Sequence, residues 1–328
     1  MKISVIIPAY NSESTLKDCL KSVFSSSIKP LEVIVVDDFS ADKSAEIAKQ
    51  FPVKLISLAK NYGSGYARNT AVENSSGEIL LFIDADVMIK RNTLNVLIES
   101  FIKDTALDAV IGLFSKEHPN KNFFSQYKNL YMHFAFSRIH GHVDFLFTSI
   151  CAIKKTAYLS FSKTRLKADD TEAGQRYKIA EKKIGSNKDL EVIHLKAYRF
   201  ISFIKNDFVI PYDWARIFLK YHGINHLAKY RGFAHARLNQ IASVIICPVA
   251  LFCFLTFKLW PQNLISGCLL LGIFLVLNLH FFIFLGKTRG PVFMLKSAVV
   301  TYIDMLVMGA GILFGTITYI FIREKRIQ

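Results

Sequence analysis

The sequence predicts an α/β domain, built on a mostly parallel central sheet with helices on both faces, followed by an all-α membrane region. Three observations carry this expectation. Continuous apolar runs of strand length alternate with segments of helical spacing through residues 1–88. Small polar and acidic clusters stand directly behind those runs, where sheets of this kind bind ligands. Residues 238–322 are mostly Leu, Ile, Phe and Val, whereas residues 1–237 have an ordinary globular composition.

Ser4–Pro8 reads as the first strand. Ser12–Ser26 has helical spacing, with Leu16, Leu20, Val23 and Phe24 on one face and Ser12 or Ser14 able to cap it. Leu31–Val36 is the second strand and ends in Asp37-Asp38. Ala41–Gln50 is helical and Val53–Leu58 is the third strand. The turn Asn61-Tyr62-Gly63-Ser64 leads into a helix over Gly65–Asn74, and Ile79–Ile83 is the fourth strand. Apolar strands joined by helical crossovers imply a parallel sheet covered on both sides. Leu107–Phe114, Phe145–Ile153 and Leu190–Ile193 read as later strands. Phe123–His140 is a helix with apolar residues on most sides, many of them aromatic, which suits either a core helix or one facing a membrane or an acceptor. A further helix runs through Arg176, Tyr177, Ile179 and Ala180.

The whole chain sets limits. Its 328 residues leave room for one domain plus membrane spans, and 52% of them are hydrophobic, with a mean hydropathy of +0.29. The net charge of +15 suits nucleic acid or an anionic membrane surface. The apolar spans favour the membrane, and no nucleic-acid partner is expected. The N-terminus leads straight into a strand, so no signal peptide is expected. Cys19, Cys151, Cys247, Cys253 and Cys268 form no C-x-x-C pair, which reads as buried thiols with neither a zinc site nor a disulfide framework.

The strand ends carry the chemistry. Asp84 and Asp86 flank Ala85 just past the fourth strand. Two carboxylates so spaced lie on one side of an extended backbone and can hold Mg²⁺ or Mn²⁺ against a diphosphate. Pro8, Tyr10 and Asn11 follow the first strand, and Asp37 and Asp38 the second. Lys60–Asn69 follows the third and adds Arg68 and a helix N-terminus, both suited to phosphate. Each motif alone can be turn chemistry, since an Asp pair caps helices and Asn-Tyr-Gly makes turns. Their joint order describes a nucleotide-diphosphate pocket.

Val5-Ile6-Ile7-Pro8-Ala9-Tyr10-Asn11, Val33-Ile34-Val35-Val36-Asp37-Asp38-Phe39-Ser40, Gly65-Tyr66-Ala67-Arg68-Asn69 and Ile83-Asp84-Ala85-Asp86 resemble, in order and spacing, the motifs of family 2 glycosyltransferases. The resemblance implies the GT-A fold, a nucleotide-sugar donor, a divalent cation and an inverting reaction. It implies that Pro8, Tyr10 and Asp37 sit against base and ribose, that Arg68 helps to hold the nucleotide, and that Asp84 and Asp86 surround the metal. Asn11 and Asp38 join the donor-binding set. The family usually has Gly after the Asp pair, and Phe39 stands there instead, which constrains the turn. The family also carries an acidic pair late in the domain whose Asp is the general base. Asp170 matches it, with Asp169 in place of the usual Glu and assigned to the acceptor side. Carboxylates at a helix start can equally be dipole partners. His194, after a strand, matches a histidine that contacts metal or diphosphate in many GT-A enzymes, and a hydrogen-bonded loop histidine is the other reading.

Three regions are expected: a catalytic domain over 1–195, a basic and aromatic interface segment over 196–237, and a membrane region over 238–328. Lys196–Arg237 holds eight Lys or Arg against Asp207 and Asp213, interleaved with aromatic residues, as suits the headgroup layer. Residues 241–259, 264–285 and 298–322 each approach the ~20 residues of a bilayer crossing. Lys287, Arg289 and Lys296 place the loop between the last two spans, and with it the catalytic domain, on the cytoplasmic side of a membrane such as the bacterial inner membrane. Three spans then put the basic tail Arg323-Glu324-Lys325-Arg326 outside, a conflict that two spans, with part of the last segment re-entrant or lying in the interface, would remove. Asp304 reads as structural, near the cytoplasmic end of its span. The expected activity is sugar transfer to a membrane-presented acceptor: a polyprenyl-phosphate, a lipid-linked saccharide or a glycerolipid. A processive polysaccharide synthase and a non-catalytic nucleotide-binding membrane protein are the alternatives. No Q-x-x-R-W element supports the first, and the intact acidic set argues against the second.

Overall fold

The computed structural model describes residues 1–139, 141–162, 166–222 and 232–321. The chain divides into two compact units, Met1–Ala197 and Tyr198–Gln328.

The first unit contains β1 (Ile3–Ala9), α1 (Leu16–Phe24), β2 (Glu32–Asp37), α2 (Ser44–Ala48), β3 (Lys54–Ser57), α3 (Ser64–Glu73), β4 (Ile79–Ile83) and β5 (Val87–Ile89). It continues with α4 (Thr93–Lys103), β6 (Ala109–Phe114), α5 (Phe123–Ser137), β7 (His142–Val143), β8 (Ile150–Lys154), α6 (Asp169–Ile179) and β9 (Ile184–His194). The strands form one sheet in the order β3-β2-β1-β4-β8-β6-β9-β5, with β7 also beside β9. The first four strands of the chain pair in parallel, as the apolar runs predicted. β8 runs antiparallel to both β4 and β6, and β5 and β7 run antiparallel to β9. The sheet is therefore mixed, with its parallel pairing concentrated in the first four strands. Residues 145–149, expected as the start of a strand, precede β8 as irregular chain.

The core lies along the central strands. Val5, Ile6, Ile7, Ile34, Val35, Val36 and Leu80 to Ile83 are fully buried. Burying each such side chain contributes about 1.5–3 kcal/mol. In α1, Leu16, Cys19, Leu20 and Val23 are buried at helical spacing, the face the sequence predicted. In α5, Tyr127, Leu130, Tyr131 and Phe136 are buried, so it is a core helix.

The second unit contains α7 (Phe200–His222), a short hairpin of β10 (Gly232–Phe233) and β11 (Ala236–Arg237), α8 (Leu238–Thr256), α9 (Gln262–Leu277), α10 (Leu279–Arg289) and α11 (Pro291–Phe321). α8 and α11 are long and apolar enough to cross a membrane. The expected middle span is instead a pair, α9 and α10, bent by 60°. Asn278 marks the break, and its side-chain amide donates to Ser243 Oγ at 2.9 Å and Phe274 O at 2.9 Å. The basic segment expected at 196–237 is not a unit of its own. Its helix α7 packs on α11, where Gly311 and Gly315 allow the closest approach. A Cβ added at Gly311 would lie 2.3 Å from Phe208 O, and one at Gly315 would lie 2.3 Å from Tyr212 O. The tail Arg323–Arg326, the end of the last expected span at Ile322 and part of the basic segment, 223–231, lie outside the described residues.

Candidate functional site

The carboxyl ends of β1, β2 and β4 lie side by side, since β1 pairs with both others. At the first, Pro8 is half-buried while Tyr10 is 51% exposed. Asn11 adopts a positive φ of 49°, and its side-chain oxygen accepts from Ala41 N at 2.9 Å. Asn is among the residues that tolerate this region.

Asp37 and Asp38 part company. Asp37 is buried, and its Oδ1 has no hydrogen-bond partner. A buried acceptor left open at the carboxyl end of a strand fits a ligand donor such as a base N–H or a ribose hydroxyl. Asp38, expected in the donor-binding set, is 3% exposed and accepts from Tyr62 N and Gly63 N, both at 2.7 Å. Its carboxylate pins the turn before α3 and leaves little surface for a nucleotide.

Arg68 stands on α3 and is also buried, 3% exposed. It was expected to touch the nucleotide. Its guanidinium instead spans two carboxylates, Nη2 to Asp84 Oδ1 at 3.0 Å and Nη1 to Asp169 Oδ2 at 2.9 Å. Burial works against its charge, but Asp169 and then Asp84 more than offset this and hold it protonated. Ser64 Oγ also donates to Asp169 Oδ2, at 3.0 Å. Gly65 permits this approach, since a Cβ there would sit 3.2 Å from the same oxygen and 2.9 Å from Ser162 O.

Asp169 was placed on the acceptor side. Its side chain is 6% exposed and is committed to Arg68 and Ser64, so it presents almost no surface to an acceptor. The next residue, Asp170, is half-buried at the start of α6, and its Oδ1 accepts from Thr171 N at 2.7 Å. Burial first, and then the charge of Asp169, push its carboxyl up to about 7. A carboxylate poised there can take a proton near neutral pH.

Asp84 accepts from Arg68 on one oxygen and from Ser149 Oγ on the other, at 2.6 Å. Asp86 is pushed up to about 6, by burial and then by Asp84. β5 pairs with β9 so that Val87 stands opposite His194. This brings His194 Nε2 to 3.8 Å from Asp86 Oδ1. Burial, and then Lys196, lower the His194 pKa well below its usual value, so its imidazole is neutral. It stacks on Phe114, with centroids 4.2 Å apart.

A divalent cation fits this donor set in part. Among the described residues, no three His, Cys, Asp or Glu side chains gather into a ready metal-binding group. Yet Asp86 and the neutral His194 are adjacent, and Asp84 still raises the Asp86 pKa although Arg68 and Lys196 stand close by. Asp84 keeps further lone pairs on its bonded oxygens. Ser149, Ser64 and Lys196 also shape the site, and sequence reading missed them. Ser64 stands in a recognisable turn before a helix, whereas nothing local marks Ser149.

Residues 4–160 match the family described as Glycosyl transferase family 2. Glycosyltransferase GlyA of Streptococcus pneumoniae is 34% identical over 127 residues, 38% of this chain and 18% of that protein. Glycosyltransferase AglE of Haloferax volcanii is 38% identical over 125 residues, 36% of this chain and 41% of that protein. The chain thus spans less than half the length of these curated relatives. Among solved structures, the mannosyltransferase PcManGT from Pyrobaculum calidifontis, in complex with GDP-Man and Mn²⁺, aligns with a TM-score of 0.58 at 17% identity. That alignment covers 98% of this chain and 88% of the other, and it shows a shared GT-A fold. Over residues 4–160 the chain is thus similar to glycosyltransferase family 2.

Proposed function

We propose that this protein is a membrane-bound, metal-dependent, inverting glycosyltransferase. It moves a sugar from a nucleoside diphosphate donor to an acceptor presented at the cytoplasmic membrane face: a polyprenyl-phosphate, a lipid-linked saccharide or a glycerolipid. The observation that carries this reading is the bridge Asp84–Arg68–Asp169, centred on the buried Arg68, which ties the Asp84/Asp86 cluster to the helix start bearing Asp170.

The residues divide the work. Asp37, with its open buried oxygen, and Tyr10 and Pro8 receive the nucleoside. Asp86 and His194, with Asp84, would hold Mg²⁺ or Mn²⁺. Such a cation supplies positive charge against the leaving diphosphate. Arg68 acts from beneath by fixing Asp84, and Asp169 fixes Arg68. Asp170 takes the acceptor proton as the new bond forms on the sugar face opposite the diphosphate. Where the acceptor is a phosphate, Asp170 orients it instead. The membrane assignment is supported by α8 and α11, each with the length and hydropathy of a span.

A donor screen tests this reading. Protein in lipid nanodiscs carrying a total polar lipid extract, with Mn²⁺, is offered radiolabelled nucleotide sugars one at a time. Label should pass from one donor class to an extractable lipid. No transfer and no donor hydrolysis from any nucleotide sugar would refute it.

A further inference from the structure

Phe39 occupies the residue after the Asp37-Asp38 pair with a φ of 65°. Bulky side chains rarely enter this left-handed region, and glycine does so without strain. Its ring is also 57% exposed, so the fold gains little burial from it. A glycine would remove both liabilities.

The conformation is held from both sides. Asp38 N donates to Ala9 O at 2.8 Å, and the Asp38 carboxylate is fixed to Tyr62 N and Gly63 N. Ser40 N donates to Asp37 Oδ2 at 3.4 Å, and Ser40 Oγ accepts from Asn11 N at 3.0 Å. Ala41 N donates to Asn11 Oδ1 at 2.9 Å. These bonds brace the loop after β2 against the loop after β1, which carries Tyr10. Among the described residues of Met1–Ala197, Tyr10 and Phe39 are the two largely exposed aromatic side chains. They stand on adjacent, cross-braced loops that leave the sheet just after the paired positions Ala9 and Asp37, and Asp37 carries the open buried oxygen. Strain kept by over-determined surroundings is typical of ligand-contacting positions.

We propose that Phe39 is a base-contacting residue: with Tyr10 it supplies an aromatic wall for the nucleobase of the donor beside Asp37 Oδ1. This rests on the nucleotide-donor reading above. Aromatic stacking on a base is tolerant of base identity, so Phe39 adds affinity while Asp37 supplies the polar contact.

The test measures binding without turnover. The full-length protein in nanodiscs is titrated calorimetrically with UDP, GDP, dTDP, CDP and ADP, each with Mn²⁺, and with pyrophosphate as a ligand lacking the base. For the tightest nucleotide, Phe39→Gly should raise Kd about tenfold and leave pyrophosphate unchanged. The same variant should raise Tm by a few degrees, because it relieves the backbone. Phe39→Asn, which accepts a positive φ and lacks the ring, should weaken nucleotide binding equally, and Phe39→Tyr should preserve it. Unchanged nucleotide affinity in Phe39→Gly and Phe39→Asn would overturn the inference and leave the donor reading intact. An equal loss of pyrophosphate binding would also overturn it, since the variants would then have deformed the loop. If the unmodified protein bound none of the five nucleotides, both the donor reading and the inference would fall.

Discussion

Arg68 and Asp169 meet at 2.9 Å inside the first unit, with side-chain exposures of 4% and 6%. The same guanidinium reaches Asp84 at 3.0 Å. One cation therefore ties the end of β4 to the start of α6, and its fork geometry lets it satisfy both carboxylates at once.

Removing that cation leaves the buried Asp169 carboxylate and the half-buried Asp84 carboxylate facing each other. Arg68→Ala should destabilise the first unit by about 3–5 kcal/mol. Arg68→Lys keeps the charge and loses the fork, so it should fold with a smaller loss of Tm and transfer sugar at least tenfold more slowly. Thermal unfolding and initial rates of the two variants check this.

In the proposed reaction Asp170 is the base, and its titration should set the pH behaviour. A base pushed up to about 7 is mostly protonated below that pH, so transfer should rise as pH increases through about 7 and then level off. The stability effect has the opposite slope. A folded pKa raised above the ordinary carboxylate value of about 3.9 means that the folded state holds the proton more tightly. Stability from this group is thus present below about pH 4 and is lost as pH rises to about 7. Asp170→Asn should therefore raise Tm relative to the unmodified protein at pH 8 and leave it little changed at pH 4.5. Paired melting curves at the two values check the sign.

Cation binding should register in Tm as well as in rate. With a nucleoside diphosphate present, Mn²⁺ should raise the Tm of the unmodified protein. Asp86→Ala should abolish that rise and lower transfer at least 100-fold. His194→Ala should reduce both by a smaller factor. An unchanged Mn²⁺ shift in Asp86→Ala would remove Asp86 from the metal site.

Gly311 is where α11 meets the α7 backbone. Gly311→Val would force its Cβ within 2.3 Å of Phe208 O, so the helices must separate. Overpacking of this kind costs about 1–3 kcal/mol. The variant should lose monodispersity in detergent before the first unit melts. Gly272, where an added Cβ meets nothing within 4 Å, is the control position.

Much of this was legible because local sequence carries it. The central strands are unbroken apolar runs, and the site loops follow them directly, so Asp37, Asp84 and Asp86 could be placed by counting. Burial was not legible. Asp38 and Asp169 have the same chemistry as Asp37 and Asp170, yet packing turns the first pair to structural duty. Ser149 reaches Asp84 through the β4–β8 pairing, a contact between residues 65 positions apart that no periodicity reports. The antiparallel β5–β9 pairing, which brings His194 to Asp86, is equally long-range. Hydropathy located the middle apolar segment but could not reveal its 60° bend, because α9 and α10 are apolar on either side of Asn278.

The most direct test is a single-turnover comparison of the purified protein with Asp170→Asn, using the donor found by screening and lipid-extract nanodiscs. The account predicts equal donor affinity and transfer at least 1000-fold slower in the variant, with product of inverted anomeric configuration from the unmodified protein. Transfer at an undiminished rate by Asp170→Asn, or product retaining the donor configuration, would contradict it.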